Sequence, residues 1–358
     1  MTAGAFLDPD DPRWLEAIRA TRHDVYHLPG YAKASALADG GAPVAYHARE
    51  GDAHFLAPLV VRAIPASVAG DRGWQDVTSP YGYPSPLCSS EDPAVQSRLL
   101  QGFCAAMRDA GFISAFLRLH PLLPLPAPAT ALESVGTVVE QGATLYADLA
   151  APLEDLQKGL RRSLRRDLKW QRESGFTARI DDWASYEAFI AVYLENMARV
   201  EASGYYRFSR AYFDAMRQYV PQAHLATVFS PEGELAAAEM FFEEDGIVQG
   251  HIAGTSTKHL RSAPSTMLYD AVQTWAKQRG NRSLNYGMGI GGKRDSVFHF
   301  KQGFATHEAP YRTLRVILDP DRYRALVDAW TSASGAPPEG PQGFFPQYRK
   351  PVADPRVG

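Results

Sequence analysis

The sequence predicts an α+β protein of two successive subdomains, each a mixed, mostly antiparallel sheet flanked by helices. Three observations carry this. The 358 residues are 45% hydrophobic and 22% charged, the balance of a globular chain long enough for two cores of ordinary size. Apolar runs punctuated by Gly-containing turns recur in blocks, separated by stretches with helical periodicity. The order helix, meander, helix, strand occurs twice, which divides the chain into residues 1–150, residues 151–331 and a Gly/Pro-rich tail, 332–358. The tail's "GFFPQYRKP" has the aromatic content to dock on the body.

In the first half, Pro12 to Thr21 reads as a short helix and "DVYHLPGY" as an aromatic turn. Residues 42–64 hold two apolar runs around Glu50-Gly51-Asp52, the pattern of a hairpin. "QDVTSPYGYPSPL" leaves a strand for a proline-broken loop, and Pro93 to Ala110 is a helix stopped by Gly111. "FISAFLRL" is a buried strand, "HPLLPLPAPA" a loop because its prolines cannot join a ladder, and "ATLYADL" closes the half. The second half opens on a helix from Leu153 to Ser174, ended by Gly175, with two more near 183–202 and 209–220. A meander follows: "HLATVFS", the turn Pro231-Glu232-Gly233, "ELAAAEMFFEE", the turn Asp245-Gly246 and "IVQGHIAGT". Helix 264–279 starts on Pro264 and stops at Gly280. The strand "RSLNY", a glycine-rich stretch and the long strand "APYRTLRVIL" complete the order.

Composition bounds the function. Cys88 and Cys104 match no metal spacing and read as reduced thiols, and no metal site is expected. The start lacks the basic and apolar regions of a secretory signal, and no apolar run approaches the roughly 20 residues of a membrane span. The expectation is a cytoplasmic protein without integral membrane contact. The net charge of −3 conceals one steep local feature, "LEDLQKGLRRSLRRDLKWQRESG". Leu153, Leu156, Leu160, Leu164 and Leu168 form an apolar stripe, while Lys158, Arg161, Arg162, Arg165, Arg166, Lys169 and Arg172 fill much of the rest. Like charges at i and i+4 repel by a few tenths of a kcal/mol, and an anionic partner relieves that repulsion. A solvated helix paired to acids elsewhere is the plainer account, and composition does not choose between them.

The most unusual stretch is "NYGMGIGGKRDSVFHFKQGF", residues 285–304. Gly287, Gly289 and Gly292 satisfy a Gly-x-Gly-x-x-Gly count, but a meander, not a βαβ unit, is expected around them. Gly292-Lys293 is followed by Arg294, where a P-loop needs Ser or Thr. Gly289, Gly291 and Gly292 read better as a sharp bend that lets the backbone approach a ligand. Asp295 or Ser296 then caps a helix whose Val297, Phe298, Phe300 and Phe304 pack inward around Lys301. A lysine among aromatics needs a partner or a task, unless its stem lies along the rings and its ammonium reaches water.

These residues resemble the Fem-like branch of the GNAT acyltransferase superfamily, in which a strand leads through a glycine-rich turn to a Phe-Lys-x-x-Phe-like helix. "LRRSLRRDLKWQRESG" is similar to the basic segment opening that family's second half, and "HIAGTSTKHLRSAPSTMLYDAVQTWAKQRG" to its strand, turn and helix. "DVYHLPGY" and "SPYGYPSPL" are similar to a subgroup of Fem-related proteins, and stand where typical Fem enzymes carry other motifs. The resemblance spans nearly the whole chain. It implies two tandem GNAT-like subdomains and attack of an amine on an activated ester, usually that of an aminoacyl-tRNA. It implies that Lys301 is catalytic, stabilising negative charge in the ester or at the tRNA terminus. Arg162, Arg166 and Lys169 would hold the tRNA acceptor end or a phosphorylated precursor. No permanently bound cofactor is implied. Acetyl-CoA-dependent relatives cradle a pyrophosphate with a glycine-rich turn, and the corresponding "KHLRSAPST" has no glycine, while Pro264 offers no N–H. The rivals are an acyl-CoA-dependent N-acyltransferase and a non-catalytic anion-binding module.

Further candidates each have a structural alternative. His251, sharing a face with Gln249, is a base, an acceptor ligand or a core histidine. Tyr81 and Tyr83 line an acceptor cleft or pack their proline-rich loop, and Asp76 orients an amine or caps a turn. Glu239, alternating with apolar residues, is a general base or the partner of an arginine.

Overall fold

The computed structural model describes residues 4–200 and 207–352. The described residues form strands β1 (Ala5–Leu7), β2 (Ala42–Glu50), β3 (Ala53–Ala63), β4 (Gln75–Thr78), β5 (Leu87–Cys88), β6 (Ser114–Leu119) and β7 (Thr137–Asp148). The series continues with β8 (Thr177–Ile180), β9 (Ala223–Phe229), β10 (Leu235–Glu244), β11 (Ile247–Thr255), β12 (Ser283–Gly287) and β13 (His307–Ile317). Contacts divide the chain into two compact units, Met1–Gln141 with Tyr311–Gly358, and Gly142–Pro310. Sequence reading divides it instead at 150/151 and 331/332. No helix among the described residues is long and apolar enough to cross a membrane.

In the first unit the sheet order is β1-β2-β3-β4-β6-β13, with β5 beside β3. The pairs are antiparallel except β4 with β6, where Val77 faces Ala115. Helix Pro93–Asp109 makes the crossover between those two strands, starting on the Asp92 cap and the favoured N-terminal proline. Its Leu99, Leu100, Phe103 and Met107 are buried against Tyr46, Phe55, Leu117 and Leu314. The tail packs here: Tyr348 joins Ile64, Leu326, Val327 and Trp330 in one cluster.

The second unit repeats the plan with the order β7-β12-β11-β10-β9-β8. Again one pair is parallel, β11 with β12, and helix Ser265–Gln278 makes the crossover. One sheet face carries the helices Arg162–Glu173, Ser265–Gln278 and Ser296–Gln302, through Leu164, Leu168, Leu268, Val272 and Phe298 on Val228, Phe241, Val248 and Leu284. The other face carries helix Tyr186–Arg199, whose Tyr193 backbone sits against Gly254, and helix Arg210–Tyr219. In each sheet the closing strand comes from the chain segment after the other unit's parallel pair. β13 follows β12 but pairs with β6, and β7 follows β6 but pairs with β12. That exchange moves the unit boundaries away from the halves read in the sequence.

The fold class holds, with local corrections. The expected helix 153–174 is two helices, Leu153–Gly159 and Arg162–Glu173. Leu160 and Arg161 take extended backbone between them, where Gly159 weakens the helix and the Arg161 guanidinium bonds the His299 carbonyl. Helices Pro29–Asp39, Ala129–Val135 and Pro320–Ser334 were not expected. The glycine stretch does follow a βαβ unit, contrary to the expected meander, but it lies after the second strand, not the first. The expected helix ending near 202 reaches Arg199, and its last two positions lie outside the described residues, as does the tail from 353.

Candidate functional site

β11 and β12 pair only over Ile247–Gln249 and Ser283–Asn285. β11 then continues to Thr255 while β12 ends at Gly287 and gives way to the glycine bend. Asp295 shapes that bend: one carboxylate oxygen accepts from Phe298 N and the other from Ile290 N, each at 2.9 Å. The carboxylate thus caps helix Ser296–Gln302 and ties it to the turn before it. Gly287, Gly291 and Gly292 have φ of 75°, 62° and 77°, the left-handed region that favours glycine. A side chain at Gly289 would collide with the Lys293 carbonyl and the Asp295 carboxylate. The close approach expected of Gly289 is therefore to its own chain, which corrects the ligand-facing reading of that residue.

The capped helix points Lys301 back over the bend, where its Nζ donates to the Met288 carbonyl at 2.8 Å. Phe298 and Phe304 are buried beside it, and Phe300 meets the Tyr269 ring edge-on at 5.2 Å. Tyr269 stacks on Tyr286 at 5.5 Å, and the Tyr286 hydroxyl is buried with no hydrogen-bond partner. Removal from water lowers the Lys301 pKa to about 8, against the opposing charges of Glu239 and Asp295. Glu239, on β10, is only 6% exposed. Its burial raises its pKa to about 7, with Lys301 pulling the other way. Its Oε1 occupies the space a side chain would need at Gly250, 2.8 Å from where that carbon would lie. A cation and a carboxylate thus share one aromatic-walled face of the second unit.

His251 does not join them. It is the extra residue of a β-bulge, since Phe241 pairs with Gly250 and Met240 with Ile252. Its ring lies on the opposite face, 4.7 Å from Phe242, with Nε2 2.7 Å from the Tyr212 hydroxyl. Burial drops its pKa to about 3, so it is neutral, as befits a core histidine. Arg162, Arg166 and Lys169 stand exposed on helix Arg162–Glu173. Arg166 leans on Asp167 at 3.3 Å and Lys169 on Glu173 at 3.8 Å, weak surface pairs that leave the face strongly cationic. The turn before helix Ser265–Gln278 is tied to helix Arg162–Glu173: Gln171 donates to the Ser262 and Ala263 carbonyls at 2.7 and 2.8 Å.

Asp76, Tyr81 and Tyr83 lie in the first unit. Asp76 is fully buried and bonds Arg62 at 3.1 Å, Arg349 at 2.5 Å and the Tyr348 hydroxyl at 2.8 Å. Its carboxylate is committed to anchoring the tail, so the expected amine-orienting role gives way to a structural one. The Tyr81 backbone is pinned through Ser35 and Tyr31, and Tyr83 packs edge-on against Tyr26, Tyr311 and His120. Sequence reading missed Gly250, Tyr269 and Tyr286. Only Gly250 left a signal, as a glycine inside a strand pattern.

No family model matches the chain, and no curated protein matches its sequence. Among solved structures, FemX matches with a TM-score of 0.69 at 11% identity, over 89% of this chain and 99% of FemX. The C-terminal domain of a putative lysylphosphatidylglycerol synthetase from Agrobacterium fabrum matches with a TM-score of 0.57 at 15% identity, covering 89% and 95%. L-PGS from Bacillus licheniformis matches at 0.50 and 14%, covering 86% and 92%. At these identities the likeness is one of fold. The chain has the fold of FemX, in line with the Fem-like branch that its motifs resemble.

Proposed function

We propose that this protein is an acyltransferase that moves an aminoacyl group from aminoacyl-tRNA to the amine (or hydroxyl) of a small-molecule or cell-envelope precursor. The observation that carries the proposal is Lys301, a cation held in an aromatic-walled, water-poor site by a dedicated bend, with its ammonium directed along the Met288 carbonyl. Attack on an ester places negative charge on the carbonyl oxygen and then on the leaving oxygen. A fixed ammonium in a low-dielectric site stabilises both. Its depressed pKa also makes it able to give up a proton near neutrality. The tRNA donor is supported by the cationic face of helix Arg162–Glu173, and by a turn before helix Ser265–Gln278 that has no glycine and carries Pro264 without an N–H, where a coenzyme A pyrophosphate needs free backbone N–H groups. The Fem-like resemblance implies the same donor. The name of one fold neighbour, lysylphosphatidylglycerol synthetase, describes a lysyl group joined to a lipid.

The test is incubation with a pool of charged tRNAs, scoring which one is deacylated faster when candidate amines are added. Acceptor-dependent deacylation of one tRNA supports the proposal. Turnover with acetyl-CoA and none with charged tRNA replaces the donor, and turnover with neither removes the enzyme reading.

A further inference from the structure

Four carboxylates are buried among the described residues: Asp24, Asp76, Glu239 and Asp270. Three have a direct partner. Asp24 meets His120 at 2.7 Å, Asp76 meets two arginines and a tyrosine, and Asp270 meets Arg172 at 2.7 Å. Glu239 is different. Lys301 acts on it through space, while the lysine's own hydrogen bond goes to Met288. A buried carboxylate without a contact partner is costly, and a fold retains one where something must meet it. Two features keep it in place. Gly250 has no side chain where the carboxylate lies, and the bulge at His251 bends the strand at that point. The Tyr286 hydroxyl, also buried and unbonded, adds a second polar atom to the same apolar wall.

We propose that Glu239 is the general base of the transfer, taking the proton of the acceptor amine as it attacks, and that Gly250 is the positioning residue that leaves room for it. Glu239 has this role only if the chain transfers an acyl group as proposed. The amine lone pair forms the C–N bond and the carbonyl π electrons move onto oxygen, beside Lys301. The surplus proton on nitrogen passes to a Glu239 oxygen. Collapse of the tetrahedral centre breaks the ester C–O bond, and the Lys301 ammonium protonates the leaving oxygen. Glu239 and Lys301 both end neutral, so return of one proton from acid to amine restores the starting pair. No outside acid or base is consumed.

The groups facing Glu239 are Lys301 from helix Ser296–Gln302, Tyr269 from helix Ser265–Gln278 and Tyr286 from β12. Both tyrosines are pushed up by burial and stay neutral, so, with kcat/KM expressed for the unprotonated acceptor amine, the acid limb of the pH profile belongs to Glu239, near pH 7. The experiment measures kcat/KM against pH for wild type, Glu239→Gln and Gly250→Ala. Charged tRNA is the donor, with ethanolamine as a basic acceptor and hydroxylamine as a weakly basic one. Glu239→Gln is expected to lose the acid limb and roughly 10²–10⁴-fold of the ethanolamine rate, but under tenfold with hydroxylamine, which attacks without a base. Gly250→Ala displaces the carboxylate and moves the limb. As an activity-free readout, Glu239→Gln gains thermal stability relative to wild type as pH rises from 5 to 8, because the buried carboxylate no longer has to ionise. An intact acid limb in Glu239→Gln, equal losses with both amines, or a stability difference flat with pH overturns the proposal. If wild type uses no charged tRNA, the donor reading falls on its own. The same variants with acetyl-CoA then decide Glu239, and absence of the limb with either donor overturns it.

Discussion

Replacing Lys301 with Met separates function from stability. The side chains have similar length and volume, so packing changes little. What changes is the charge. Its burial depresses the lysine from its ordinary 10.5 to about 8. In the linkage relation that shift corresponds to roughly 3 kcal/mol against the folded state near pH 8. Partial exposure of the residue brings the figure down to about 1–2 kcal/mol. The sign follows from proton counting. The unfolded chain keeps this proton up to about pH 10.5 and the folded chain only to about 8, so wild-type stability rises with pH across that window. Lys301→Met has no such dependence. Its stability relative to wild type therefore falls by about 1–2 kcal/mol between pH 8 and 10.5, a shift of several degrees in thermal midpoint for a unit of this size. Turnover should fall roughly 10²–10³-fold, as for loss of one oxyanion donor. Paired urea melts at pH 8 and 10.5, with single-turnover acyl transfer, make the assay. A pH-independent stability difference refutes the buried-ammonium argument, and near-wild-type turnover removes Lys301 from the mechanism.

Other regions make separate commitments. Asp76→Ala leaves Arg62 and Arg349 facing a buried void and releases Tyr348, so the first unit should lose about 3–5 kcal/mol and its C-terminal segment should become the first site of limited proteolysis. His47 and His54 sit 3.2 Å apart on β2 and β3, and burial lowers both pKa values. Arg49 acts on both in the same sense, as do His54 and Arg13 on His47; Glu16 opposes at both, and Asp52 at His54. Their stability contribution is full above the ordinary histidine value of about 6.5 and is lost as pH falls below it. His54→Asn should flatten the first unit's urea midpoint between pH 7.5 and 5. Arg162→Ala with Arg166→Ala should leave thermal stability unchanged and reduce the salt slope of tRNA binding by roughly 1.5–2, measured by filter binding across salt concentrations. An unchanged slope takes that face out of RNA contact.

What could be read in the chain divides along sequence distance. Elements whose physics is local were legible. The Asp295 cap, the aromatic turn of helix around Lys301 and the Leu164/Leu168 stripe all lie within a few residues of the features that predict them. Elements fixed by distant partners were not. The exchange of β7 and β13 depends on pairing between segments more than a hundred residues apart, and no local period records it. Asp76 looked available because its partners, Arg62 and Arg349, come from the neighbouring strand and the far tail. His251 looked available because Gln249 and His251 alternate correctly, but alternation cannot tell which face is the layer that holds the lysine. The bulge and the neighbours Phe242 and Tyr212 decide it.

The same logic explains why Glu239 outranks His251 although the sequence treats them alike. Both are titratable groups in a strand of apolar residues, and burial shifts both, in each case toward the neutral form. Only Glu239 ends near the pH at which an amine must be deprotonated, because burial lifts a carboxylate to about 7, with a nearby ammonium pulling back, while it lowers the His251 imidazole to about 3. A base that titrates near 7 can cycle in neutral solution, whereas one at about 3 binds a proton too weakly to draw it from an amine. The site is therefore defined by the pairing of opposite charges across one apolar face. Lys301 and Glu239 should fail together: with Lys301→Met in place, Glu239→Gln should cost little more, a coupling that a double-mutant cycle on the acyl-transfer rate can read directly.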